Sequence, residues 1–146
     1  MKHTYFYRTM GWKASGVYYD EEGNPFALAG EVQAIHRDEK WSLQGLMEVL
    51  SDPPVRYTNV YTIFPAEQAA TLKWESSNPA LGTLRGTFEI VGDSIISTYR
   101  SDDGAYSGAE TLIQIDEKTY YNVGVSFKNG VKMSSWSADL TAREGE

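Results

Sequence analysis

Tight two-residue turns between alternating segments constrain this chain more than any other feature of its sequence. Asn129-Gly130 stands between Tyr120–Phe127 and Val131–Ala142, and an Asn-Gly pair flanked by alternating residues is a strong short-range hairpin signal. Gly92-Asp93 and Asp103-Gly104 punctuate the preceding segments in the same way. No window carries a convincing helical period. Alternating segments instead recur about every ten to fifteen residues, each bounded by turn chemistry. Strands are predicted over Gly11–Tyr19, Phe26–His36, Trp41–Leu50, Val55–Phe64, Thr71–Ser76, Gly82–Val91, Ser94–Ser101, Ala105–Ile115, Tyr120–Phe127 and Val131–Ala142. Pro65–Ala70 is allowed a single helical turn.

Short loops also set register. Across Gly92-Asp93, Ile90 pairs with Ile95, Phe88 with Ser97 and Gly86 with Tyr99. Closure at Asp103-Gly104 sets Tyr99 opposite Gly108, Ser97 opposite Glu110 and Ile95 opposite Leu112. A four-residue loop over Asp116–Thr119 would place Glu110 against Val125 and Leu112 against Val123. Asn129-Gly130 pairs Lys128 with Val131 and Phe127 with Lys132, and carries Val123 to Trp136 and Tyr121 to Ala138. One face then collects Phe88, Ile90, Ile95, Leu112, Tyr121, Val123, Val125, Phe127, Trp136 and Leu140, and is expected inside. Arg85, Glu89, Arg100, Asn122, Ser126 and Asp139 are expected outside. Across Arg37–Lys40, Ala34 meets Leu43, Val32 meets Gly45 and Gly30 meets Met47, while Val55, Tyr57, Asn59, Tyr61 and Ile63 look inward. An open sheet of hairpin-linked strands leaves two long edges, which closure removes. The predicted fold is all-β: one closed antiparallel up-and-down barrel of about ten strands with little or no helix, spanning residues 1–146 as one domain. A two-sheet sandwich is the structural alternative.

Composition narrows the functional classes. The chain has no cysteine, which excludes disulfides and thiol catalysis. A formal net charge of −7, with the basic residues spread singly, argues against a nucleic-acid partner. No apolar run approaches the roughly 20 residues of a membrane-spanning helix, and a cytoplasmic location is expected. His3 and His36 lie too far apart to form a paired metal site, and no nucleotide, hydrolase or metalloprotease motif occurs. No metal, cofactor or catalytic residue is therefore assigned.

The inner face is not uniformly apolar. Ser97, Tyr99, Tyr106, Glu110, Gln114 and Ser134 share it with Tyr57, Asn59 and Tyr61. Burying such groups is costly unless they find partners or water, so they point to a lumen rather than a filled core. Gly30, Gly45, Gly86 and Gly108 fall on the same face and leave room along the wall or mark bends. The candidate ligand-binding residues are Tyr57, Asn59, Tyr61, Phe88, Ser97, Tyr99, Glu110, Tyr121 and Trp136. Glu110 is the one to watch, as a carboxylate whose pKa burial would raise. The competing reading places a bulge at Gly108 that sends it outward to Arg100 or a lysine. Lys132 lies at a hairpin end, either solvated or facing an anionic headgroup.

Consecutive hairpin-linked strands, Gly11-Trp12 at the start of the first strand and a cavity-like inner face together resemble the calycin superfamily, a bacterial lipocalin-like domain above all. The resemblance is architectural and spans most of the chain. Lipocalins show Gly-x-Trp where here the two residues adjoin, and their C-terminal helix has no counterpart. The helical lid and Arg-x-Tyr clamp of fatty-acid-binding proteins are also missing. The resemblance implies an internal cavity and a small apolar or amphipathic ligand, with homodimerisation left open. The alternatives are a calycin-type lyase, isomerase or decarboxylase pairing Glu110 with Tyr99 or Tyr121, and a filled structural barrel.

Overall fold

The computed structural model describes residues 2–65, 70–78 and 81–143. Its ten strands are β1 Gly11–Tyr19, β2 Pro25–His36, β3 Trp41–Val49, β4 Val55–Phe64, β5 Thr71–Asn78, β6 Gly82–Val91, β7 Ser94–Ser101, β8 Tyr106–Asp116, β9 Thr119–Lys128 and β10 Val131–Ala142. Each strand pairs antiparallel with its sequence neighbour, and β1 pairs with β10, so the sheet closes into a barrel. Among the described residues there is no helix, and hence none long and apolar enough to cross a membrane. The single helical turn expected over Pro65–Ala70 falls mostly outside the described residues.

The turns behave as their chemistry requires. Asn129 and Gly130 both adopt positive φ (51° and 80°), as the twist-matched two-residue hairpin turn demands. Lys128 pairs with Val131 and Phe127 with Lys132. The predicted registers across β6–β7, β7–β8 and β2–β3 also form: Phe88 faces Ser97, Ser97 faces Glu110 and Gly30 faces Met47.

One strand departs from the expected register. β8 and β9 are joined not by a four-residue loop but by the tight turn at Glu117-Lys118, with Asp116 opposite Thr119 and a bulge at Ile115. Glu110 therefore faces Gly124 rather than Val125, and Leu112 faces Asn122 rather than Val123. A second irregularity lies at Met133, between the Lys132–Phe127 and Ser134–Ser126 pairs, so that Trp136 opposes Gly124 and not Val123. A one-residue slip turns every side chain of a strand to the other face. Two such slips invert β9 and leave β8 and β10 as predicted. Tyr120, Asn122 and Ser126 consequently point inward and are buried, whereas Tyr121, Val123, Val125 and Phe127 lie outside, with Tyr121 38% exposed.

The two barrel ends differ. At one end residues 2–10 fold across the opening as a plug. Phe6 is wholly buried, its ring 4.8 Å from that of Phe88. The Thr4 hydroxyl donates to the Glu117 carbonyl at 2.7 Å, and the Phe6 carbonyl is bonded by the His36 ring at 2.6 Å. The Tyr120 hydroxyl accepts from the Thr4 backbone N–H at 3.1 Å and is bonded to His3. Trp12, Tyr5 and Tyr120 pack into one aromatic floor beneath the lumen. The opposite end carries no such segment among the described residues. Along the inward row of β4, exposure rises from 0% at Ile63 to 43% at Tyr57.

Candidate functional site

Four of the inner-face glycines have a specific purpose. A Cβ on Gly124 would lie 2.1 Å from the Trp136 ring, and one on Gly86 would lie 2.8 Å from that of Trp74. On Gly108 it would strike Tyr99 at 2.4 Å, and on Gly30 the Met47 sulfur at 2.2 Å. Each glycine is the seat on which a large side chain of the adjacent strand lies against the wall. The wall is thus lined by the Trp74, Tyr99 and Trp136 rings and the Met47 thioether.

Glu110 sits at the centre of this surface. Asn122 donates to one of its oxygens at 2.8 Å, and the Trp136 indole N–H in turn donates to the Asn122 carbonyl at 3.0 Å. This chain fixes the amide of Asn122 with its donor toward the carboxyl. Among the described residues no hydrogen bond reaches the other Glu110 oxygen, and that oxygen is not packed away against protein. The same holds for the hydroxyls of Tyr5, Tyr61 and Tyr99, which surround it electrostatically. Glu110 is enclosed by the fold and still keeps accessible surface, as a side chain lining an internal space must. Burial pushes its carboxyl above the ordinary carboxylate range, opposed by the Asn122 bond. Burial, reinforced by the nearby Glu110 charge, pushes Tyr99 up to about 12 and raises Tyr5 and Tyr61 as well. These phenols stay protonated at neutral pH and serve as hydroxyl donors and acceptors.

Trp74 completes the wall. Its N–H donates to the Ser97 hydroxyl at 3.1 Å, and its ring meets Tyr61 edge-on at 4.9 Å and Phe88 at 5.8 Å. A groove of about 360 Å³ over β5 and β6 is lined by Phe64, Lys73, Trp74, Glu75, Arg85, Gly86 and Thr87. In it Arg85 bridges Glu75 at 2.7 Å, and also Asp102 at 2.9 Å, in solvent. The groups without a protein partner lie on the inner face, which makes it the candidate site.

The barrel has a solved counterpart. An S-type phycobiliprotein lyase from Guillardia theta superposes with a TM-score of 0.66 at 9% identity, over 97% of this chain and 92% of that one. A protein of unknown function of the DUF3598 family from Nostoc punctiforme aligns over 98% of this chain and all of that one at 10% identity, with a TM-score of only 0.32. No protein-family model matches the sequence, and no curated protein does. The likeness to the lyase shows a shared architecture. The chemistry has to be read from this chain's own side chains.

The structure brings Tyr61, Tyr99, Glu110 and Trp136 together about the lumen. Asn59 shares the inward row of β4 with Tyr61, and Tyr57 stands at the mouth beside Tyr18. Phe88 belongs to the packed layer under the plug, and Ser97 is buried as the acceptor of Trp74. Tyr121 is on the outer face, so it cannot pair with Glu110 as an acid–base partner. Glu110 turns inward, with no bulge at Gly108. Sequence reasoning missed Tyr5, Trp74 and Asn122. The aromatic run Tyr5-Phe6-Tyr7 ahead of the first strand is the signal that marks the plug.

A pH test follows from the raised carboxyl. The folded state holds the Glu110 proton more tightly than the unfolded chain, so stability falls as pH rises from the unfolded titration through the folded one. Glu110→Gln abolishes that loss. The melting temperature of the variant minus that of wild type should grow between about pH 4 and pH 8, by roughly 2–4 °C per kcal/mol relieved. A difference that stays flat with pH would show Glu110 to be an ordinary solvated carboxylate.

Proposed function

We propose that the protein binds a small molecule in the lumen of a calycin-like barrel, admitted at the mouth opposite the N-terminal plug and held on Glu110. One observation carries this reading: the Glu110 carboxyl, enclosed by the fold, keeps one oxygen without a protein partner among the described residues, and the hydroxyls of Tyr5, Tyr61 and Tyr99 around it are likewise without one. These groups keep accessible surface and have no protein partner among the described residues, so they are free to bond a ligand. Apolar and aromatic walls with a few convergent polar groups are the usual make-up of a ligand site. The lyase from Guillardia theta uses the same barrel architecture, which supports a small-molecule role without naming a ligand for this chain. Phenols held protonated beside Glu110 suit binding better than base catalysis.

Native mass spectrometry of the purified protein should detect a retained small molecule or, after extraction, restored binding of an apolar fluorophore quenched by the lumen tryptophans. Trp136→Phe should weaken that quenching, and Tyr121→Phe should leave it unchanged. Equal quenching in wild type and Trp136→Phe would place the ligand elsewhere.

A further inference from the structure

No cation among the described residues acts on the lumen carboxyl. Among the described residues, the basic side chains all lie elsewhere. His3 and His36 are tied into the plug, and Arg85 and Arg100 lie opposite each other on the outer face. Arg56 pairs with Glu48 outside the barrel at 2.6 Å. Lys128 is the basic residue on the inward parity of β9, but it is exposed at the mouth over the Tyr106 ring. It lies four residues along the strand from Gly124, the partner of Glu110, a separation of roughly 13 Å. The groups facing Glu110 are the hydroxyls of Tyr5 from the plug, Tyr61 from β4 and Tyr99 from β7, and the amide of Asn122 from β9. Every one of them is neutral at physiological pH.

The surrounding surface has the complementary character. The rings of Trp136 and Tyr99 lie against Gly124 and Gly108 on the inner face of the barrel. Ring faces carry the negative lobe of the aromatic quadrupole and attract cations, most strongly where water is excluded. An anionic ligand would meet a like charge and no counter-ion. A neutral ligand would leave the carboxyl unpaired whenever it ionised.

We propose that the ligand class of this site is a small organic ammonium, its protonated nitrogen seated against the free oxygen of Glu110 and between the rings of Tyr61, Tyr99 and Trp136. The proposal rests on the reading of the lumen as a binding site. The charged nitrogen supplies the partner that Glu110 lacks, and the tyrosine hydroxyls accept its remaining N–H groups. The apolar body of the ligand extends toward the mouth.

Three probes of matched size test this by titration calorimetry at neutral pH: 1-naphthylmethylamine, 1-naphthylmethanol and 1-naphthoic acid. The amine should bind at least tenfold tighter than the alcohol, with the acid weakest, and Glu110→Gln should erase the preference for the amine. In wild type, where no substitution can disturb folding, affinity for the amine should fall as acid protonates Glu110, whereas affinity for the alcohol should stay level. Binding of the alcohol or acid as tightly as the amine overturns the proposal and leaves the lumen site standing. So does an amine preference that survives Glu110→Gln, or one that is flat with pH. Failure of all three probes to bind overturns both the proposal and the lumen reading beneath it.

Discussion

Replacing Phe6 by alanine should destabilise the protein by about 3–5 kcal/mol, the cost of removing a large ring from a site that cannot collapse. Phe6 is wholly buried at the plugged end, where its ring packs on Tyr7 at 5.0 Å and Phe88 at 4.8 Å. Its φ of 44° lies in the left-handed region, a conformation that costs a non-glycine residue roughly 1–3 kcal/mol. The burial of the ring offsets that strain, and alanine would keep the strain and lose the burial. Phe127→Ala provides the contrast. The inverted β9 puts Phe127 on the outer face, and its truncation should cost under about 1 kcal/mol. Urea unfolding of the two variants separates the cases. A larger loss at Phe127 than at Phe6 would mean that β9 keeps the register of an uninterrupted hairpin and that the plug does not close the barrel.

That contrast also shows where the sequence was legible. Turn chemistry fixes a local register, and the pairs next to Gly92-Asp93 and Asn129-Gly130 could be read by counting outward from the turn. Counting fails at a bulge, because an extra residue leaves no mark in composition. Ile115 and Met133 are such residues. The usual correction, placing the more apolar face of a strand inside, misleads for β9. This strand turns Tyr121, Val123, Val125 and Phe127 outward and gives Asn122, Gly124 and Ser126 to the lumen. The inversion is itself informative. The polar residues that it turns inward serve as partners there, Asn122 to Glu110 and Ser126 to Ser134. Asn122 was therefore hidden by the same slip that makes it the hydrogen-bond donor to Glu110. Glu110 and Tyr99 were legible because β7 and β8 are joined without irregularity near them. The plug was not legible by periodicity, since residues 2–10 form no strand and gain their burial only from the closed barrel.

Gly124→Ala should be strongly damaging, because it strikes at the chain of side chains that holds Glu110. The new Cβ would stand 2.1 Å from Cζ2 and 2.3 Å from Cε2 of Trp136, well inside van der Waals contact. The ring cannot swing away without breaking the 3.0 Å bond from its N–H to Asn122, and Asn122 would then lose the orientation that directs its own N–H to Glu110. Overpacking of this kind costs about 1–3 kcal/mol. Lost donor geometry would add a rise in the Glu110 titration, because the Asn122 bond is what opposes burial there. The two effects can be told apart. Adding Trp136→Leu removes the clashing ring, so the double variant should be more stable than the sum of the single losses predicts, by roughly 0.5–3 kcal/mol of coupling. The donor chain stays broken in that double variant, so ligand affinity should not recover with stability. Strict additivity of the two substitutions would mean that the indole does not rest on Gly124, and the ring-coated wall would lose its physical basis.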